Sequence, residues 1–168
     1  MAIFPIRVYP DLVLRSEATR IEVFDGEVRR LADDMLETMY DAPGVGLAAP
    51  QIGIAKQIFV ADVGEGPFIM VNPEIVETSG KWEFEEGCLS IPEHWWEFER
   101  PSYARAAGFD LDGNAIEIEG DELMGRVLQH ETDHLHGKML VDRLGRSQRK
   151  KALAELREAM AEDRLGRA

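Results

Sequence analysis

The chain has one cysteine, Cys88, in 168 residues, so no internal disulfide can form and interest shifts to what that thiol does. Long apolar runs are also missing. Stretches such as Ile58 to Ala61 and Phe68 to Val71 fall far short of the roughly 18–20 residues a membrane span requires. The opening Met1-Ala-Ile-Phe-Pro has neither the basic nor the extended apolar part of a secretory leader, which sets the expectation of a cytoplasmic protein. Internal repeats and low-complexity tracts are absent, and no cluster of turn residues marks a linker. Positive charge is scarce: 19 Lys and Arg stand against 32 Asp and Glu, for a net charge of −13. That balance disfavours DNA binding by the body of the protein. The charge is unevenly spread, with residues 143–168 at +4 and the rest at −17.

What is present suits a globular domain. Hydrophobic residues make up 45% and charged residues 30%, and the length fits a single domain over 1–168 with a helical tail over 146–166. Asp25 can cap a helix in which Val28, Leu31, Met35 and Met39 recur at helical spacing. Gln57 to Asp62 and Pro67 to Asn72 read as strands joined through Gly64-Glu-Gly. Further strands are expected at Glu74 to Thr78, Lys81 to Glu85, Tyr103 to Asp110 and Ala115 to Glu119, the last two linked by Asp112-Gly-Asn. Tyr103-Ala-Arg-Ala-Ala-Gly has few β-branched residues and should make a weak strand. Asp121 to His136 reads as the central helix, closed by Gly137 in the left-handed region. A last helix begins near Ser147, with Leu153, Leu156 and Met160 on one stripe. Strands on both sides of one helix indicate an α+β fold.

That central helix carries His130-Glu131-Thr132-Asp133-His134, an HExxH motif that places two imidazoles one turn apart. One divalent cation can bridge them. Glu131 is poorly placed as a further ligand from the same turn but can move the proton of a water at the metal. A tetrahedral catalytic site wants a third protein ligand from elsewhere. Leu140 stands where a metzincin would supply a histidine, so that arrangement fails. Glu155 and Glu158 lie at the separation of a thermolysin-like glutamate, though in a charged helix. Cys88, in Glu86-Gly87-Cys88-Leu89-Ser90, is the other candidate, since a thiolate would also neutralise metal charge. Gly44-Val-Gly-Leu-Ala-Ala-Pro-Gln51, read alone, is a glycine-rich turn ending in an amide.

Together, Gly44 to Gln51, Glu86 to Ser90 and Gln129 to His134 resemble, in this order, the GφGφAAPQ, EGCφS and QHEφDH motifs of the peptide deformylases. The resemblance runs from Pro10-Asp-Leu-Val-Leu to the C-terminal helix. It implies antiparallel sheets surrounding the HExxH helix, with one helix before it and one after. It implies Cys88, His130 and His134 as metal ligands, Glu131 as acid and base, and Gln51 with the backbone of Leu89 as oxyanion donors. The implied reaction removes the formyl group from N-formylmethionyl nascent chains. The substrate backbone would pair with strand edges near Gly46 and Leu89, while Val45, Leu123 and Val127 line the methionine slot. Mixed nitrogen and sulfur ligation suits Zn2+, Co2+ and Ni2+ as well as Fe2+, the ion the resemblance favours physiologically. It also suggests that the basic C-terminal helix docks on the ribosome. Two departures stand out: Thr132 replaces the hydrophobic residue of the third motif, and His94-Trp95-Trp96 fills a segment where many members carry Arg. Covering core is the expected role of Trp95 and Trp96.

Overall fold

Asp25 accepts hydrogen bonds from the backbone N–H groups of Glu27 and Val28 and so starts α1, Gly26–Asp41. In this computed structural model, which describes residues 1–166, α1 buries Val28, Ala32, Met35 and Met39 on one face. That face packs on a five-stranded sheet in the order β1-β2-β3-β6-β7. Its strands are β1 (Gly46–Ala48), β2 (Ile58–Ala61), β3 (Phe68–Ser79), β6 (Tyr103–Phe109) and β7 (Ala115–Asp121), and all its pairings are antiparallel. A separate hairpin pairs β4 (Trp82–Cys88) with β5 (Ile91–Arg100).

Alternation along β2 divides the sheet's two faces. Ile58 and Val60 join the α1 side, while Phe59 and Ala61 join the side that packs against α2, Glu122–Leu135. Every residue of α2 from Gly125 to Leu135 is buried, because the sheet covers one side and the β4–β5 hairpin approaches the other. Gly137 takes φ +69° just beyond it, as its position predicts. A third apolar cluster joins Ile91 and Phe98 of β5 to Leu140, Val141 and Leu144. Ala152 and Leu156 of α3, Arg146–Gly166, complete it.

The structure corrects several sequence expectations. Pro67 to Asn72 and Glu74 to Thr78 are one strand, β3, with a register shift between Val71 and Glu74 that accommodates Pro73. Asn72 there has φ +50°, and its side chain bonds the backbone N–H and C=O of Ile21, both at 2.8 Å. β6 is an interior strand despite its poor propensity. Ala104 and Ala106 are fully buried in the cluster with Val127 and Leu128, so small side chains there let α2 lie close to the sheet. The strand expected at Lys81 to Glu85 extends through Cys88, and β5 had no counterpart in the expectation. Trp96 is partly buried on the third cluster, whereas Trp95 is 59% exposed and covers no core. In α3, Leu156 is buried, and Leu153 and Met160 only partly so. Arg167 of the basic tail lies outside the described residues.

Candidate metal centre

Each segment of the centre has a structural reason for its place. The 3₁₀ turn Ala49–Ile52 follows β1 and buries Gln51, whose Oε1 accepts the N–H of Ala48 at 2.9 Å. Its Nε2 donates to Ser90 Oγ at 3.1 Å and lies 3.7 Å from Cys88 Sγ, so the turn is tied to the end of β4. Gly46 on β1 meets α2 closely: a Cβ there would lie 2.8 Å from Glu131 Cδ and nearer still to Oε1. Leu89 packs on the same loop, since a Cβ at Gly44 would fall 2.7 Å from Leu89 Cδ1.

The two Nε2 atoms of His130 and His134 are 3.2 Å apart, and Cys88 Sγ is 3.3 Å from that of His134. Cys88, His130 and His134 are the one group of at least three potential donors that converges among the described residues, all within 4.8 Å. Glu155 and Glu158 on α3 are not part of it. The Nδ1 of His130 faces the Glu86 carboxylate, and a proton held there leaves the Nε2 lone pair facing the other two donors. Facing lone pairs repel unless a proton or a cation lies between them. Two imidazoles and a thiol therefore fit a divalent ion of borderline softness.

Cys88 and His130 line a cavity of about 440 Å³. Val45, Gly46, Gln51, Leu89, Leu123, Val127 and Glu131 line it as well, so every site residue expected from sequence borders the cavity except His134, which is buried. Trp95 and Phe84 join the wall. Burial raises the Glu131 carboxyl to about 7, against the lowering effect of His130 and Arg100. Its Oε2 is buried without a hydrogen-bond partner.

A buried ionic cluster behind the centre was not anticipated. Glu86 Oε2 accepts from Arg100 Nε and from Arg126 Nε, both at 2.9 Å, and its Oε1 accepts from Arg100 Nη2 at 3.0 Å. Burial alone would raise the Glu86 carboxyl, but His130 and Arg100 outweigh it and hold the group well below the usual range. Arg126 also donates to the carbonyls of Trp82, Phe84 and Phe98, pinning α2 to the hairpin. Arg100 Nη1 reaches Asp133 Oδ2 at 3.0 Å. Glu86 and Asp133 sit inside the motifs themselves, and Arg126 stands one turn before His130. Those positions were the available signal; Arg100 offered none.

A buried HExxH helix with a thiol from a separate strand places the chain among the HExxH metalloproteins. Comparison narrows this. The model of the polypeptide deformylase family matches residues 3–150, and the chain belongs to that family. It is 53% identical over 148 residues to peptide deformylase 1 of Clostridium acetobutylicum, covering 88% of this chain and 99% of that protein. The crystal structure of peptide deformylase from Thermus thermophilus matches with TM-score 0.90 and 41% identity, over 95% of this chain and 96% of the other. That from Synechococcus elongatus in complex with actinonin matches with TM-score 0.84 and 40% identity, over 90% and 85%.

Proposed function

We propose that this protein is a metal-dependent hydrolase that removes the formyl group from the N-terminal formylmethionine of newly made polypeptides, releasing formate. The observation that carries this reading is the convergence of Cys88, His130 and His134, two of which line a cavity together with Glu131. Those three residues would hold the ion, Fe2+ being favoured physiologically and Zn2+, Ni2+ or Co2+ being able to replace it. When bound, the ion supplies Lewis acidity toward the formyl carbonyl and its attacking water.

The chain's own residues do the rest. Glu131 takes a proton from water as its oxygen bonds the formyl carbon. Negative charge grows on the carbonyl oxygen, where the Gln51 amide and the Leu89 N–H donate hydrogen bonds. Gln51 is already oriented for this by Ala48 and Ser90. The C–N bond then breaks, and Glu131 passes its proton to the leaving nitrogen, giving formate and a free amine. Burial raises the proton affinity of this carboxyl, which suits it to both transfers. Val45, Leu123 and Val127 offer an apolar slot for methionine, and the edges near Gly46 and Leu89 hold the peptide backbone by strand addition.

The same reading places the protein in the cytoplasm, where nascent chains emerge. No helix among the described residues is long and apolar enough to cross a membrane. Its tail helix would approach the ribosome through Lys150 and Lys151, both exposed on α3. Arg149 serves another purpose, pairing with Asp142 at 3.1 Å, which explains a cation in the first turn of a helix. The test is formate release from a short formyl-methionyl peptide, expected to vanish on chelation and return with Co2+ or Ni2+. Cleavage of internal peptide bonds with no formate would instead indicate a metallopeptidase.

A further inference from the structure

The ionic cluster behind the centre does not stop at the residues that touch the histidine. Asp133 is 8% exposed and lies between the two histidines on α2. Its Oδ2 accepts from Arg100 Nη1 at 3.0 Å and from Arg143 Nε at 2.9 Å, while its Oδ1 accepts from Arg143 Nη2 at 2.5 Å. Arg143 ends the 3₁₀ turn Leu140–Arg143 that leads into α3, and its side chain is 42% exposed. An unbroken series of charged contacts therefore runs from a half-exposed arginine to the Nδ1 of His130. It passes through Asp133, Arg100 and Glu86.

We infer that Arg143 is a positioning residue for the metal centre, setting the orientation of His130 through Asp133, Arg100 and Glu86. A shared donor couples the two carboxylates. Arg100 divides its guanidinium between two carboxylates, with Nε and Nη2 on Glu86 and Nη1 on Asp133. The two-point grip of Arg143 holds the Asp133 carboxylate in one plane and satisfies the oxygen that Arg100 does not reach. Without it, Asp133 keeps Arg100 as its one remaining cation and has an unmet oxygen in a buried site. The carboxylate is then free to turn and compete with Glu86 for the Arg100 fork. Glu86 is the acceptor that fixes the ring plane and tautomer of His130, so a shift there moves the Nε2 lone pair. Three arginines against two carboxylates make the cluster tolerable while burying it. Removing the outermost arginine disturbs that balance most cheaply, because Arg143 itself is already half in water.

This inference rests on Cys88, His130 and His134 being the metal ligands, and the experiment separates the two claims. Full-length protein is stripped and titrated with Zn2+, and separately with Co2+, against a competing chelator. The absorption spectrum of the Co2+ form is recorded as a direct view of the ligand geometry. Replacing a group that orients a ligand typically weakens metal affinity by about 10–100-fold, and a residue two contacts further out should fall at the lower end. Arg143→Gln is therefore expected to bind both ions about tenfold more weakly, with a shifted Co2+ spectrum. Arg143→Lys keeps the charge without the two-point grip and should fall between Arg143→Gln and the unaltered protein. If Arg143→Gln does not fold, that variant carries the comparison. Arg149→Gln is the control, because it breaks a contact to Asp142 in the same corner without touching Asp133. Unaltered affinity and spectrum in the Arg143 variants would overturn the inference, as would equal weakening in Arg149→Gln. Failure of the unaltered protein to bind either ion would overturn the ligand assignment itself.

Discussion

Gly46→Ala adds one methyl group at the closest approach between β1 and α2, and its consequence can be worked from the geometry. The new Cβ would lie 2.8 Å from Glu131 Cδ and 3.0 Å from its Cγ, where ordinary contacts are 3.4–4 Å. Gly46 is not in a positive-φ conformation, so alanine brings no backbone strain. Something must move by roughly 0.6–1 Å, and the movable group is the Glu131 carboxylate at the end of its side chain. Displacing a reacting group by about 1 Å costs on the order of 10²-fold in rate. Overpacking of this size destabilises by about 1–3 kcal/mol. The three atoms nearest the added methyl all belong to Glu131, so metal content should hold. The assay is formate release together with metal stoichiometry and thermal unfolding. Expected is a loss of about 10²-fold in kcat with full metal loading. Combination with Glu131→Asp, which shortens the carboxylate arm, should cost less than the product of the two single effects. Activity within about threefold of the parent would refute the claim that Gly46 sets the position of Glu131. So would loss of metal in step with activity.

Four other outcomes follow from the same structure. Glu131→Gln is expected to retain the metal and almost abolish formate release; a variant that loses its metal would make Glu131 a ligand. Gln51→Ala should cost about 10²–10³ in kcat, and about 1–3 kcal/mol of stability because the buried Ala48 N–H loses its acceptor; an effect confined to KM would reduce Gln51 to binding substrate. Ala106→Val improves strand propensity yet should destabilise the protein by about 1–3 kcal/mol, since its Cβ faces the cluster beneath α2; a rise in Tm would remove the reason given for small residues in β6. Lys150→Glu with Lys151→Glu should weaken salt-sensitive cosedimentation with ribosomes and leave peptide deformylation intact. Charge reversal suits this test better than truncation, because Ala152 and Leu156 of the same helix are buried in the third cluster.

Chemistry that one helical turn can hold was open to reading before any fold was known. His130 and His134 are four residues apart, and the helix period alone puts them on one face, so the motif carries its geometry with it. The pairing of Cys88 with that helix has no such local rule. Glu155 and Glu158 sit in a charged helix and were the weaker candidates; Gly87 and the charge of a thiolate favoured Cys88, and resemblance to a family assigned it. The structure then brought the thiol within 3.3 Å of His134. Strands followed the same division. The β2–β3 and β6–β7 hairpins were legible from their turn residues, and the helix α1 from its cap and stripe. By contrast, β5 was missed because His94-Trp95-Trp96 shows no clean alternation, and its pairing with β4 is a property of the hairpin's surroundings.

Burial of opposite charges escaped for a deeper reason. Arg100 and Arg126 look like surface residues, since isolated arginines are almost never fully buried, yet both are buried here. Only a partner that is itself buried makes such a residue stable inside, and the partners Glu86 and Asp133 lie 10 to 44 positions from the groups they meet. A carboxylate two residues from a predicted metal ligand is nevertheless a local clue. It must either ligate, repel the thiolate, or turn away and find cations of its own. Glu86 turns away: it accepts from two arginines and from a histidine ring, and in doing so holds that ring for the metal. The demand for those cations is what draws Arg126 of α2 and Arg100 of β5 into the interior. The hairpin that carries Cys88 is thereby fastened to the helix that carries both histidines, so the same ionic contacts that make the fold also bring the three donors to one point.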